Sequence, residues 1–136
     1  MKFRTVLIVF LGLGLIGSLF PFETVVVPEW KIQVVEKSGQ PLSAVPLRET
    51  WKDYSIEAEG HEEALASDTN GIVIFGKRTV KANLWMRIFK TTANMINPHG
   101  STGPTASIYV LAPFKAISEE PSYTPGQPLT NRITVE

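Results

Sequence analysis

A period of two, repeated in short runs and broken by turn residues, is the strongest constraint on this chain. In "WKIQVVEK" (30–37), Trp30, Ile32 and Val34 fall on one side, with Lys31 and Gln33 on the other. "LTNRITVE" (129–136) repeats the device, with Leu129, Ile133 and Val135 against Thr130, Arg132 and Thr134. Side chains alternate across a strand, so an apolar face of this period is buried only when one sheet packs on another layer. "LSAVPLRETW" (42–51) sets Val45, Leu47 and Trp51 at even spacing. Its Pro46 lacks a backbone donor, which predicts an edge or bulged strand. "EALAS" (63–67) and "SIYVLAPF" (107–114, stopped by Pro113) add two more. Six or seven short strands in about 110 residues predict an all-β, antiparallel β-sandwich.

The turns between these runs are written in side chains that bend a backbone. "SGQP" places Gly39 and Pro41 between two strands. In "SDTNGIVIFGKR" (67–78), Asp68 and Asn70 bond nearby backbone and Gly71 tolerates a positive φ. The spacing predicts a hairpin with a type I turn and a glycine bulge. "IVIF" (72–75), apolar on both sides, then reads as a central, covered strand that leaves to solvent at Gly76, Lys77 and Arg78. The chain has no cysteine, which excludes disulfides, zinc–thiolate sites and a cysteine nucleophile, so the fold is held by its core alone. With 43% hydrophobic and 19% charged residues, such a core is within reach.

Two segments break the strand rhythm. Lys2 and Arg4 precede an uncharged run, Thr5–Phe22, which as a helix would extend roughly 27 Å. The expectation is a signal-anchor or transmembrane helix over 1–22, with a cleaved signal peptide as the alternative and Gly14 and Gly17 as the best small pair. Residues 23–29 then read as a linker and 30–136 as the β-domain, carried outside the cytoplasm. The second exception is "VKANLWMRIFKTTANMIN" (80–97). Val80, Leu84 and Ile88, with Trp85, Phe89, Ala93 and Ile96, recur at three and four residues, the period of an amphipathic helix. Lys81, Arg87, Lys90 and Asn94 take its other side, and Pro98 ends it.

"VVEKSGQPLSAVPLRETW" joined to "SDTNGIVIFGKRTV" resembles the carboxypeptidase-regulatory-like domains, through Gly39, Pro41, Leu42 and Val45 and then Asp68, Asn70, Gly71 and Phe75. The resemblance covers about 30 to 80. It implies a transthyretin-like (prealbumin-like) β-sandwich, and with the helix and the His-Gly-Ser loop a largely uncharacterised bacterial subgroup. It further implies a non-catalytic accessory or interaction module, in which the turn residues are structural. The histidine signatures and C-terminal tetrapeptide of the transthyretin-like hydrolases are absent.

Charge adds one more feature. Lys plus Arg and Asp plus Glu are 13 each, so net charge gives no sign of a nucleic-acid partner. The distribution is uneven. Residues 49–68 hold Glu49, Asp53, Glu57, Glu59, Glu62, Glu63 and Asp68 against Lys52 alone, whereas 69–118 hold six cations and no acid. Two readings of the helix follow. Leu84, Trp85, Ile88 and Phe89 enter a lipid headgroup layer while Lys81, Arg87 and Lys90 meet anionic lipid; or the apolar stripe caps the sandwich and the cations face water. Glu57, Glu59 and His61 alternate and would share one strand face, a weak cation site; solvated edge charges are the plainer account. His99 and Ser101 lack the remaining parts of a triad. The expected protein is a bacterial inner-membrane, single-pass or exported, non-enzymatic envelope module without cofactor or metal. Its partners would be the membrane, an envelope protein, an anionic lipid surface or a glycan. A small hydrolase or metal-binding domain using His61 or His99 is the alternative.

Overall fold

A computed structural model describes residues 3–97 and 100–136. The order is α1 (Phe3–Leu19), β1 (Phe22–Val27), β2 (Trp30–Glu36), β3 (Pro46–Asp53), β4 (His61–Ala66), β5 (Ile72–Phe75), β6 (Arg78–Ala82), α2 (Leu84–Ile96), β7 (Pro104–Val110), β8 (Ser122–Tyr123) and β9 (Arg132–Val135). The chain is therefore mostly sheet with two helices, and nine strands lie among the described residues where six or seven were expected. One sheet runs β4-β3-β7-β8 and another β5-β2-β9, with β1 and β6 as a separate pair. All pairs are antiparallel except β2 with β9, which is parallel. Residues 115–117 seal the other side of β9: Lys115 and Glu136 exchange backbone bonds at 2.9 Å, and Ile117 N donates to Thr134 O at 2.9 Å.

The alternation seen in sequence sets the core. Trp30, Ile32 and Val34 of β2, Leu47 of β3, Ile108 of β7 and Ile133 and Val135 of β9 are all fully buried in one cluster between the sheets, a sandwich-like layering. Trp30 also donates from Nε1 to Thr130 O at 2.7 Å, so its one polar atom is satisfied.

The segment expected as a linker, 23–29, instead carries most of β1, and its Val26 and Val27 are core residues. Its partner is β6 (78–82), which takes residues 80–82 from the start of the expected helix. A bulge lies between Val25 and Val27, and beyond it Val27 faces Arg78. Trp30 faces Phe75 in the next ladder, three residues forward on one strand and three back on the other. The register thus passes the break unchanged, and β1–β2 with β5–β6 form one long interrupted antiparallel ribbon. Its last pair is Phe22 with Ala82, so α1 and α2 both depart from the same end.

Three further expectations are corrected by position. "IVIF" lies at a sheet edge, with Val73 and Phe75 buried and Ile74 exposed; it is an alternating strand, neither central nor covered. Strand β3 is interior, between β4 and β7, and Pro46 is tolerated there as its first residue. The Asp68 turn is not a hairpin, because β4 and β5 belong to different sheets. Its local chemistry is nevertheless the expected one. Asp68 Oδ1 accepts from Asn70 N and Ile72 N, each at 2.8 Å, and Gly71 N donates to Asp68 O at 2.9 Å.

Helix α1 is 17 residues long, about 25 Å at the usual rise. It stops where Phe20 N bonds Gly17 O and Phe22 is drawn into the ladder. Among the described residues no helix is long and apolar enough to cross a membrane.

Two glycines mark the turns. Gly39 has φ 89° and donates to Glu36 O at 2.8 Å, while Pro41 bridges to Val35. Gly71 has φ 73°, and a Cβ there would sit 2.5 Å from Val34 O, the carbonyl that also accepts from Leu42 N. Gly71→Ala therefore costs both a left-handed backbone and a clash, and should lower unfolding free energy by about 2–4 kcal/mol. Gly76→Ala, where a Cβ meets nothing within 4 Å, is the control and should change little in the same denaturant titration.

Candidate functional site

Helix α2 starts at Asn83, whose side chain accepts from Met86 N at 2.8 Å and caps the first turn. Which side of this helix meets the body is the main surprise. The half-buried positions are Arg87, Lys90, Thr91 and Asn94, the polar stripe at spacings of three and four. Arg87 donates from Nε to Ala82 O at 3.2 Å and from its terminal nitrogen to Phe22 O at 3.0 Å, and lies 4.1 Å over the Phe22 ring. Asn94 donates to Tyr54 O. The polar stripe thus staples the helix to the end of the β1–β6 pair and to the turn after β3 through backbone carbonyls.

The apolar stripe faces away. No residue of α2 is buried, and Leu84, Trp85, Met86, Ile88, Phe89, Met95 and Ile96 are all exposed, Phe89 to 77% and Ile96 to 78%. Helix α1 lies beside it and contributes no buried residue either; Trp85 Nε1 donates to Ser18 Oγ at 2.7 Å. Phe3, Leu7, Ile8, Phe10 and Leu11 of that helix are exposed as well. Neither sequence-based reading of the helix anticipated this arrangement in full. Leu84, Trp85, Ile88 and Phe89 share one exposed face as expected, but the stripe does not cap the sandwich. Lys81 lies on β6, opposite Glu23, and Arg87 is committed to the body. Lys90 lines a groove between α2 and the residues that follow β3.

A second constellation lies at the inner edge of the β3–β4 pair. Glu49 and Glu63 are directly opposed across these strands, a repulsive pairing unless a cation intervenes. Arg78, the first residue of β6, supplies it. Arg78 Nε and its terminal nitrogen bond Glu49 Oε2 at 2.9 and 2.6 Å, and the terminal nitrogen also bonds Glu63. The guanidinium lies 4.1 Å over Trp51, and Trp51 stacks on His61 at 5.5 Å. Glu49 is 0% exposed, and its Oε1 has no hydrogen-bond partner among the described residues. Burial pushes its carboxyl above the usual range despite Arg78, and the Glu63 charge acts in the same direction. Asp53, raised chiefly by burial, behaves likewise.

His61 Nε2 donates to Glu57 Oε1 at 2.7 Å, and Glu57 Oε2 accepts from Asp53 N at 2.7 Å. Glu57 and Glu59 lie in the turn before β4, so the shared strand face expected for Glu57, Glu59 and His61 does not form. Among the described residues no group of three or more His, Asp or Glu is placed to hold a metal ion. His99 and Pro98 lie outside the described residues.

Sequence reasoning missed three positions. Glu49 carried a readable signal, an acid at the inward phase between Leu47 and Trp51. Asn83 sits where an N-cap belongs. Ser67, just past β4, is a buried joint to the β2–β3 connection: its Oγ accepts from Val45 N at 2.9 Å and donates to Leu42 O at 2.7 Å. In comparisons with known proteins, no family model, curated protein or solved structure matches this chain.

Removing one partner of a buried ion pair strands the other charge, so Arg78→Ala should cost about 3–5 kcal/mol in denaturant unfolding. The raised Glu49 pKa has a definite sign in pH. Protonated Glu49 is favoured by folding, so its stabilising contribution is complete below the unfolded carboxylate range and is lost as pH rises through the native value. Stability should therefore fall with rising pH from about pH 4 upward over that window. Glu49→Gln should flatten the slope, leaving the part due to Asp53.

Proposed function

We propose that this chain is a non-catalytic β-sandwich module of the bacterial envelope, akin to the carboxypeptidase-regulatory-like domains it resembles, which docks its two helices on an anionic lipid surface outside the cytoplasm. The observation that carries the reading is the inverted seating of α2, polar stripe inward and apolar stripe outward. A helix stapled by its arginine and asparagine while showing Trp85, Ile88 and Phe89 to solvent has the form of an interfacial helix awaiting an apolar medium. Helix α1, which buries no residue, adds apolar surface beside it. Neither helix carries an acid, and Arg4, Lys81 and Lys90 accompany them, which suits an anionic headgroup layer.

The hydrolase alternative rests on His61, whose link to Glu57 is the geometry of an oriented imidazole. A nucleophile activated by it is still needed, and among the described residues Glu57 is its only hydrogen-bond partner. The docking reading uses more of the molecule.

Co-sedimentation of the full chain with vesicles of phosphatidylcholine and phosphatidylglycerol tests it. The protein should pellet with the vesicles, less so as salt rises. Ile88→Asp/Phe89→Asp should weaken binding at least about tenfold, from lost apolar burial and added charge. It should leave the melting temperature almost unchanged, since both side chains are exposed. Unaltered pelleting of this variant would remove the reading.

A further inference from the structure

Resting on that reading, we infer that the groove between α2 and the residues following β3 is the seat of the phosphate of an anionic phospholipid headgroup, one with no ammonium of its own to oppose the lysines. The groove has a volume of about 470 Å³ and is lined by Lys52, Lys90, Asn94, Ser101 and Phe89, among others. Lys90 projects from the inward stripe of α2, is half-buried, and forms no ion pair among the described residues. An ammonium at a groove wall with no carboxylate paired to it is available to an incoming anion. Lys52 is held at the opposite wall, its Nζ donating to Ala58 O at 2.8 Å and lying 5.0 Å over the Tyr54 ring. Those contacts fix the ammonium and leave its charge uncancelled. The acid in the lining, Glu57, has its oxygens turned to His61 and to Asp53 N, so the groove sets two cations against one carboxylate that is bonded elsewhere. With Ser101 also in the lining, that excess of positive charge suits a phosphate oxyanion.

What selects a lipid over a soluble phosphate ester is the rim. Phe89 lines the groove and also belongs to the exposed apolar face of α2. A headgroup seated between Lys52 and Lys90 would therefore leave its acyl chains against Phe89 and its apolar neighbours. Polar head and apolar tail meet the protein on contiguous surfaces. Recognition in this groove would set which lipids are preferred, while the helix face supplies the bulk of the attachment.

The test is vesicle co-sedimentation of the full chain with the double variant Lys52→Gln/Lys90→Gln and its charge-keeping counterpart Lys52→Arg/Lys90→Arg. The glutamine variant should lose about thirtyfold in affinity for phosphatidylglycerol-containing vesicles, the worth of two lysines at such a surface. It should keep its weaker binding to phosphatidylcholine alone, and the arginine variant should retain the preference. If the glutamine variant binds phosphatidylglycerol vesicles as the unsubstituted chain does while Ile88→Asp/Phe89→Asp releases it, the groove proposal fails and the docking surface stands. If the unsubstituted chain binds no vesicle at all, the docking reading itself fails and takes the headgroup seat with it. Titration with inorganic phosphate, without vesicles, separates the sources. Binding tighter than about 1 mM that disappears in the glutamine variant would assign the groove to soluble phosphate and overturn the lipid.

Discussion

The in-phase ladder of β1–β2 against β5–β6 is the constraint from which the rest of the molecule follows. Because the register survives the break at residues 28–29 and 76–77, the core half and the outer half of the ribbon cannot slide independently. The core half presents Trp30, Ile32, Val73 and Phe75 to the opposing sheet. The outer half ends at the Phe22–Ala82 pair and thereby brings the close of α1 and the start of α2 to one place. Two helices far apart in sequence become a single apolar surface because the strands attached to them are neighbours. Arg87 then fixes the angle of α2 by bonding Phe22 and Ala82 backbone, the two residues of that last pair.

The ion cluster performs the same service at the other end of β6. Arg78 is the first residue of that strand and reaches across to Glu49 and Glu63 of the opposing sheet. An all-apolar contact there would cost less desolvation, so stability alone does not account for it. Its effect is directional: the guanidinium fork, stacked on Trp51, admits one orientation of β6 on β3 and β4. His61 and Glu57 continue the stack outward and tie the turn before β4 to the same point.

Much of the sheet was legible from side-chain period, because burial on one face leaves an alternating imprint. Trp30, Ile32, Val34, Ile133 and Val135 are inward as their spacing required. Two of the errors share a cause: they fall where an apolar residue has two uses. "FETVVV" has no polar alternation to reveal its strand, so it passed as a tether between leader and domain. "IVIF" is apolar at Ile74 even though that side is open, which made an edge strand resemble a covered one. Amphipathicity located α2 but could not give its polarity of packing. Period identifies two unlike faces; only the tertiary hydrogen bonds of Arg87 and Asn94 decide which face turns inward. The site followed the same rule, its apolar members readable and its Arg78–Glu49 anchor hidden by separation in sequence.

The common departure point of the helices also governs how load would travel through the protein. Tension applied to α1 and α2 together, away from the body, enters β1 and β6 from one end and runs along both strands side by side, so their mutual hydrogen bonds are not pried open one by one. It reaches the body at the break in the ribbon, where Arg78 is gripped by two carboxylates and an indole. A tug separating the helices from each other would instead unzip Phe22 from Ala82 first. The molecule is thus built to resist being hauled off a surface as a unit far better than to resist having its two helices parted.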